Sequence, residues 1–198
     1  MQEVIAMEIP KPSSKEIKKY LTKFKEQENY VLQEKSLDKL FHNTYPNNND
    51  IDDVLIKAST LNDFYSTNIF SIFTVAKRII DLDIDERLNK NDMELVNDIA
   101  TITIKGKQKY FYSFATKYCS HHKPNDYPIY DSFVEKMMIH FNKIDRYSDF
   151  KKTDLRNYII FKRVLLDFKE YYNLNDFTLK EIDLYLWQAG KEYFPKKY

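Results

Sequence analysis

The sequence predicts an all-α, two-lobed helical fold with at most one small β hairpin. Apolar residues recur at helical spacing through most of the chain, and capping residues stand where those stripes begin. Strand-like alternation appears at one place only. The 198 residues are 43% hydrophobic and 31% charged, enough to bury a core in one domain or two intimately packed lobes. The expected lobes are residues 1–60 with 145–198, and residues 61–144, with no Pro/Ser-rich linker between them.

Ser13 and Glu16 form a capping-box pair opening a helix whose apolar face is Ile17, Tyr20, Leu21 and Phe24. A second stretch carries Leu37, Leu40 and Phe41 before Pro46-Asn47-Asn48-Asn49-Asp50 breaks it as a surface loop. Ile51, Val54, Leu55, Ala58, Leu61 and Tyr65 share a face of the next helix. Thr67 is read as the cap of another, with Ile69, Ile72, Phe73, Ala76, Ile79 and Ile80 on one side. A shorter helix after Asn91 or Asp92 buries Leu95, Val96 and Ile99.

Thr101-Ile102-Thr103-Ile104 alternates and is β-branched, and Lys105-Gly106-Lys107 supplies a turn, which together spell a short hairpin. Helical spacing resumes at Ser113, and Asp131 begins a helix containing Val134, Met138 and Phe141. Further on, Leu155, Ile159, Lys162 and Leu166 share a stripe widened by Val164 and Phe168. Thr178 and Glu181 form a second capping box, with Phe177 stapling against Ile182. Gly190 stands where a helix C-terminus favours glycine.

Composition narrows the function. The only glycines are Gly106 and Gly190, so no Gly-rich phosphate cradle is present and no nucleotide cofactor is expected. A single cysteine, Cys119, fits a reducing compartment. The first residues, Met1 to Glu8, lack a basic n-region and an apolar h-region, and the apolar runs are too short for a membrane span. A cytoplasmic protein without membrane contact is expected. Cys119, His121 and His122 hint at zinc, but no second ligand pair lies at standard spacing, so no metal is assigned.

The formal charge is +1, from 31 Lys+Arg against 30 Asp+Glu, yet it is unevenly spread. Ala100 to Asn125 holds Lys105, Lys107, Lys109, Lys117 and Lys123 and no acidic residue, leaving 26 basic against 30 acidic elsewhere. Tyr110, Phe111, Tyr112, Phe114 and Tyr118 are interleaved with these lysines. Cations neutralise phosphates while aromatic faces stack on unpaired bases, so the five lysines are candidate DNA contacts. The alternative is a solvated hairpin beside a core helix.

After this segment comes Tyr127-Pro128-Ile129-Tyr130-Asp131-Ser132-Phe133-Val134. Pro128 favours an extended approach, and an acid at the following helix N-terminus is favoured by the dipole. Asp131 is either a plain N-cap or a carboxylate available to stabilise positive charge on a substrate. Glu181 is occupied by its capping box and Asp183 is expected on an exposed face, so neither is assigned to catalysis. Lys191, Lys196 and Lys197 either add phosphate contacts or solubilise a frayed end.

Ser113-Phe114-Ala115 followed by the Tyr127–Val134 stretch resembles the core of the helix-hairpin-helix DNA glycosylases, in a divergent form akin to the 8-oxoguanine DNA glycosylases. In the resemblance Asp131 matches the catalytic aspartate, Ser132 the hydroxyl residue after it, and Ala115 the family's alanine. Two departures stand out. The glycines of the family hairpin are missing near Lys109-Tyr110-Phe111-Tyr112, and the lysine nucleophile of bifunctional members corresponds to Ser113, or to Tyr112 if the loop differs by one residue, with Lys109 or Lys117 on neighbouring turns as the substitutes. The resemblance therefore implies a monofunctional N-glycosylase of base excision repair, flipping a modified or damaged base out of DNA. Asp131 would stabilise the oxocarbenium-like sugar or orient water. Tyr127, Tyr130, Phe111 and Trp187 are candidates for stacking on the extruded base, against core or pocket-wall packing as the alternative. Two other readings stand beside it: a non-catalytic helical module binding nucleic acid or a protein partner, as in phage defence, and a purely structural protein.

Overall fold

The computed structural model describes residues 8–195. The segments Met1–Met7 and Lys196–Tyr198, with the expectations placed on them, lie outside the described residues. The described chain is mostly helical: α1 Ser14–Lys25, α2 Glu28–Asp38, α3 Ile51–Phe64, α4 Ile72–Asp81, α5 Ile84–Asn89 and α6 Glu94–Ala100 precede one hairpin. Strands β1 Thr101–Ile104 and β2 Lys107–Tyr110 form it, and α7 Tyr112–His122, α8 Ser132–Asp145, α9 Tyr158–Tyr171 and α10 Leu179–Tyr193 follow. Helix α10 packs on α1 and α8, α3 on α4, and α6 on α7. One continuous cluster of buried side chains runs from Ile17 to Ala189.

Local chemistry explains most boundaries. Ser13 accepts the Glu16 amide at 3.3 Å, Asp50 accepts that of Asp52 at 2.8 Å, and Thr178 with Glu181 closes a full capping box. In the hairpin Ile104 pairs with Lys107, and the two turn residues, Lys105 and Gly106, take φ of 49° and 74°. That is the left-handed pair a two-residue hairpin turn requires, and Gly106 accepts it without strain. The Phe111 amide donates to Ala100 O at 2.8 Å, closing the hairpin base and leading straight into α7.

Several expectations are corrected. Thr67 does not cap a helix; its hydroxyl donates to Asn62 Oδ1 at 2.6 Å, and α4 starts at Ile72. Phe73, Ile159 and Leu166 are exposed, because α4 buries Val75 and α9 turns Phe161, Val164, Leu165 and Phe168 inward. The short α5 buries only Ile84 and Leu88, too few apolar positions to mark a helix in the sequence. Gly190 is no C-cap: it lies inside α10, where an added Cβ would meet the Phe133 Cβ at 2.7 Å and its carbonyl oxygen at 2.8 Å. Glycine is needed there so that α10 and the start of α8 can touch.

The Asn-rich loop is tied down by a buried ammonium. Lys57 Nζ donates to Tyr45 O at 2.9 Å, Asn47 O at 2.8 Å and Asn48 Oδ1 at 2.7 Å. Burial lowers this lysine to about 8. The Tyr118 hydroxyl also donates to Asn48 Oδ1, at 2.7 Å, which knits the loop to α7.

Candidate functional site

The post-proline segment is pinned from both sides. Tyr158 Oη donates to Pro128 O at 2.9 Å, and the Tyr130 amide donates to Thr116 Oγ1 at 3.2 Å. This delivers Asp131 to the N-cap of α8, where Oδ1 accepts the Phe133 amide at 2.8 Å. The other oxygen, Oδ2, stands 3.9 Å from Lys117 Nζ. The Asp131 side chain is 24% exposed, so its carboxylate is capping a helix and still open to a cavity.

Two adjoining cavities meet at this pair. The larger, about 480 Å³, lies between α10 and the α1–α2 region, and its walls include Tyr30, Leu37, Phe64, Asp183, Leu184 and Trp187. The smaller, about 330 Å³, lies beside the hairpin base and is lined by Tyr110, Phe111, Ser113 and Arg156 among others. Tyr65, Ser66, Lys117 and Asp131 line both.

Lys117 is 3% exposed, and its Nζ donates to Ser113 Oγ at 2.6 Å, one helical turn back. Burial holds its ammonium below the usual lysine range, with Asp131 and then Asp183 acting in the opposite sense. It is therefore not the surface phosphate contact that the sequence suggested. Lys105, Lys107 and Lys109 are exposed on the hairpin, as a DNA contact requires. Lys123 follows the far end of α7 from the hairpin, about 15 Å along the helix, and does not join that group. Arg156, which lines the smaller cavity and lies over the Tyr130 ring, was not picked out from sequence.

The aromatic candidates separate cleanly. Tyr127 and Tyr130 are core residues rather than pocket walls, which corrects that assignment. The Tyr127 hydroxyl donates to Asp92 O at 3.1 Å, and that of Tyr130 donates to Glu135. Phe111 lines the smaller cavity and Trp187 the larger. Trp187 meets Tyr30 edge to face, and Lys191 Nζ lies 4.5 Å from the Trp187 ring centroid.

Asp183 overturns its sequence reading most clearly. It is 5% exposed, lines the larger cavity, and burial raises its carboxyl from 3.8 to about 7. His121 and His122 close α7 as neutral rings, burial holding both well below the usual histidine range. His121 pairs with Tyr65 Oη at 2.9 Å and His122 with Asn48 Oδ1 at 3.2 Å. Burial pushes the Cys119 thiol up. Among the described residues no group of three or more His, Cys, Asp or Glu side chains is gathered as a metal would need.

Beside the smaller cavity, Ser66 and Asn68 take φ of 49° and 56°, and Asn62 Oδ1 accepts both the Thr67 hydroxyl and the Ile69 amide. This loop presents Phe70, 99% exposed, immediately after the cavity-lining Ile69.

Residues 16–126 match the HI_0787_N family, described as an N-terminal domain. The chain belongs to that family. An uncharacterized protein of Haemophilus influenzae (strain ATCC 51907 / DSM 11121 / KW20 / Rd) is 55% identical over 147 residues, covering 74% of this chain and 70% of the relative. No solved structure matches the chain. The family match takes in the hairpin and Lys117 and stops short of Asp131. Among the described residues no helix is long and apolar enough to cross a membrane.

Proposed function

We propose that the chain is a DNA glycosylase-like protein that cleaves the N-glycosidic bond of a modified or damaged base in base excision repair. The observation that carries this reading is the Asp131–Lys117 pair, 3.9 Å apart at the common wall of two cavities. A nucleotide turned out of the duplex would place its base in the larger cavity and its sugar against this pair. Asp131 Oδ2 would stabilise the oxocarbenium-like sugar as the base departs, as carboxylates do in glycoside hydrolysis. Exposed Lys105, Lys107 and Lys109, with Arg156, would hold the phosphates. Phe70 would fill the gap left in the stack, the role of apolar wedges in bent DNA.

Lys117 favours a second version of the chemistry, in which a lysine one helical turn after Ser113 takes the nucleophile's place. Desolvation makes this ammonium easier to deprotonate, and the amine so released would be a nucleophile for attack at the sugar C1′. The base leaves with the bonding pair and takes one of the two amine protons, and the other passes to O4′ as the C1′–O4′ bond breaks and the sugar ring opens, which gives an imine that water later hydrolyses. Borohydride trapping of a protein–DNA crosslink separates this route from direct hydrolysis.

An abasic-site assay over duplexes carrying modified bases tests the reading, comparing wild type with Asp131→Asn. Base release by wild type that falls at least a hundredfold in the variant supports it. If no duplex yields abasic sites while both proteins bind DNA equally and salt-sensitively, the chain is a non-catalytic nucleic-acid-binding module.

A further inference from the structure

The larger cavity holds a carboxyl that the proposed reaction leaves unused. Asp183 lies on the side of α10 that also brings Lys180, Leu184, Trp187 and Lys191 to the cavity wall. Its Oδ1 is buried and has no hydrogen-bond partner among the described residues. A buried carboxyl oxygen without a partner is costly to keep ionised, which favours the protonated, hydrogen-bond-donating form of this group.

Among the described residues, the charged and titratable groups that act on Asp183 come from several elements around it and none from α1, which also packs on α10. They are Lys180 on α10, Glu34 on α2, Tyr65 after α3, Lys117 on α7, Asp131 before α8 and Tyr158 on α9. Both cations hold other partners: Lys180 pairs with Glu34 at 2.6 Å, and Lys117 donates to Ser113. Aromatic and apolar walls from Tyr30, Leu37, Phe64, Leu184 and Trp187, interrupted by a few charged groups, give a cavity of about 480 Å³ that suits a flat heteroaromatic ligand.

We propose that Asp183 is the contact by which the cavity reads its ligand, its carboxylic O–H donating a hydrogen bond to a ring nitrogen or carbonyl oxygen on the edge of a nucleobase lying against Trp187. This rests on the reading of the cavity as a base pocket. Burial keeps the O–H form populated up to about pH 7, where an ordinary aspartate is ionised and cannot donate.

Trp187 is the only tryptophan of the chain, so its emission reports on the cavity. The experiment titrates the full chain with deoxyadenosine, deoxyguanosine, deoxycytidine and thymidine at pH 6 and pH 8. At least one nucleoside is expected to change Trp187 emission saturably, with about tenfold weaker binding at pH 8 than at pH 6. Asp183→Asn keeps an N–H donor and is expected to bind alike at both pH values. Asp183→Leu is expected to lose at least tenfold in affinity; if it fails to fold, the Asp183→Asn pH profile decides. The inference is overturned if no nucleoside perturbs Trp187, or if Asp183→Asn keeps the wild-type pH dependence. Base release by wild type with Asp183-independent nucleoside binding overturns the inference alone. Asp183-dependent binding with no base release from any duplex overturns the glycosylase reading and leaves a nucleobase-binding cavity.

Discussion

Lys117 Nζ stands 3.9 Å from Asp131 Oδ2 and 2.6 Å from Ser113 Oγ, so one buried ammonium joins α7 to the start of α8. A surface pair of this kind would contribute little, but this cation is almost wholly removed from water. Lys117→Met keeps the volume and removes the charge. The variant should stay folded, melting within a few degrees of wild type, while single-turnover base release falls at least a hundredfold. Borohydride crosslinks, if wild type forms them, should vanish.

Asp183 gives the fold a definite pH signature. Its carboxyl titrates near 7 in the folded chain and near 3.8 when unfolded, so the folded state binds the extra proton between those values. Stability from this group is complete below about pH 4 and is lost as pH rises through about 7. The rise from 3.8 to about 7 corresponds to at most about 4 kcal/mol. Denaturant melts of Asp183→Asn should show a gain over wild type at pH 8 that shrinks towards pH 4.

Phe70 makes no contribution to the core, being 99% exposed. Phe70→Ala should leave the melting temperature unchanged and weaken binding to duplex DNA several-fold, with less effect on single strands, where no stack has to be opened. Electrophoretic shifts on matched single- and double-stranded probes measure the difference.

Gly190→Ala would drive a methyl group to 2.7 Å from the Phe133 Cβ and 2.8 Å from its backbone oxygen. Backbone cannot swing aside as a long side chain does, so α8 and α10 must move apart. We expect a loss of about 1–3 kcal/mol in chemical denaturation.

The helices were legible wherever periodicity and caps agreed, as at Ser13, Asp131 and Thr178, whereas the cap at Asp50 was read as loop. The hairpin was legible because Lys105-Gly106 satisfies a turn that few other pairs accept. The site was only half legible. Asp131 announces itself locally, by proline and helix start, whereas the position of Lys117 depends on which side of α7 is covered. Its spacing of four residues from Ser113 was the available signal. Asp183 falls four residues after Leu179 and three before Leu186, both buried, so the apolar stripe of α10 already ran through it. Charge outweighed spacing in reading it as exposed. Tyr127 and Tyr130 could not be sorted from sequence, since a tyrosine hydroxyl is equally satisfied by a buried carbonyl or by water.

The Asp131 carboxylate has one oxygen committed to the Phe133 amide, and that commitment fixes its mobility. Swinging towards a distant sugar would uncap α8, so this group is an anvil rather than an arm. In the proposed reaction the travelling is done by the nucleic acid, whose distortion alone brings the anomeric carbon within range. Lesions that soften the duplex would thus be favoured before any base edge is inspected.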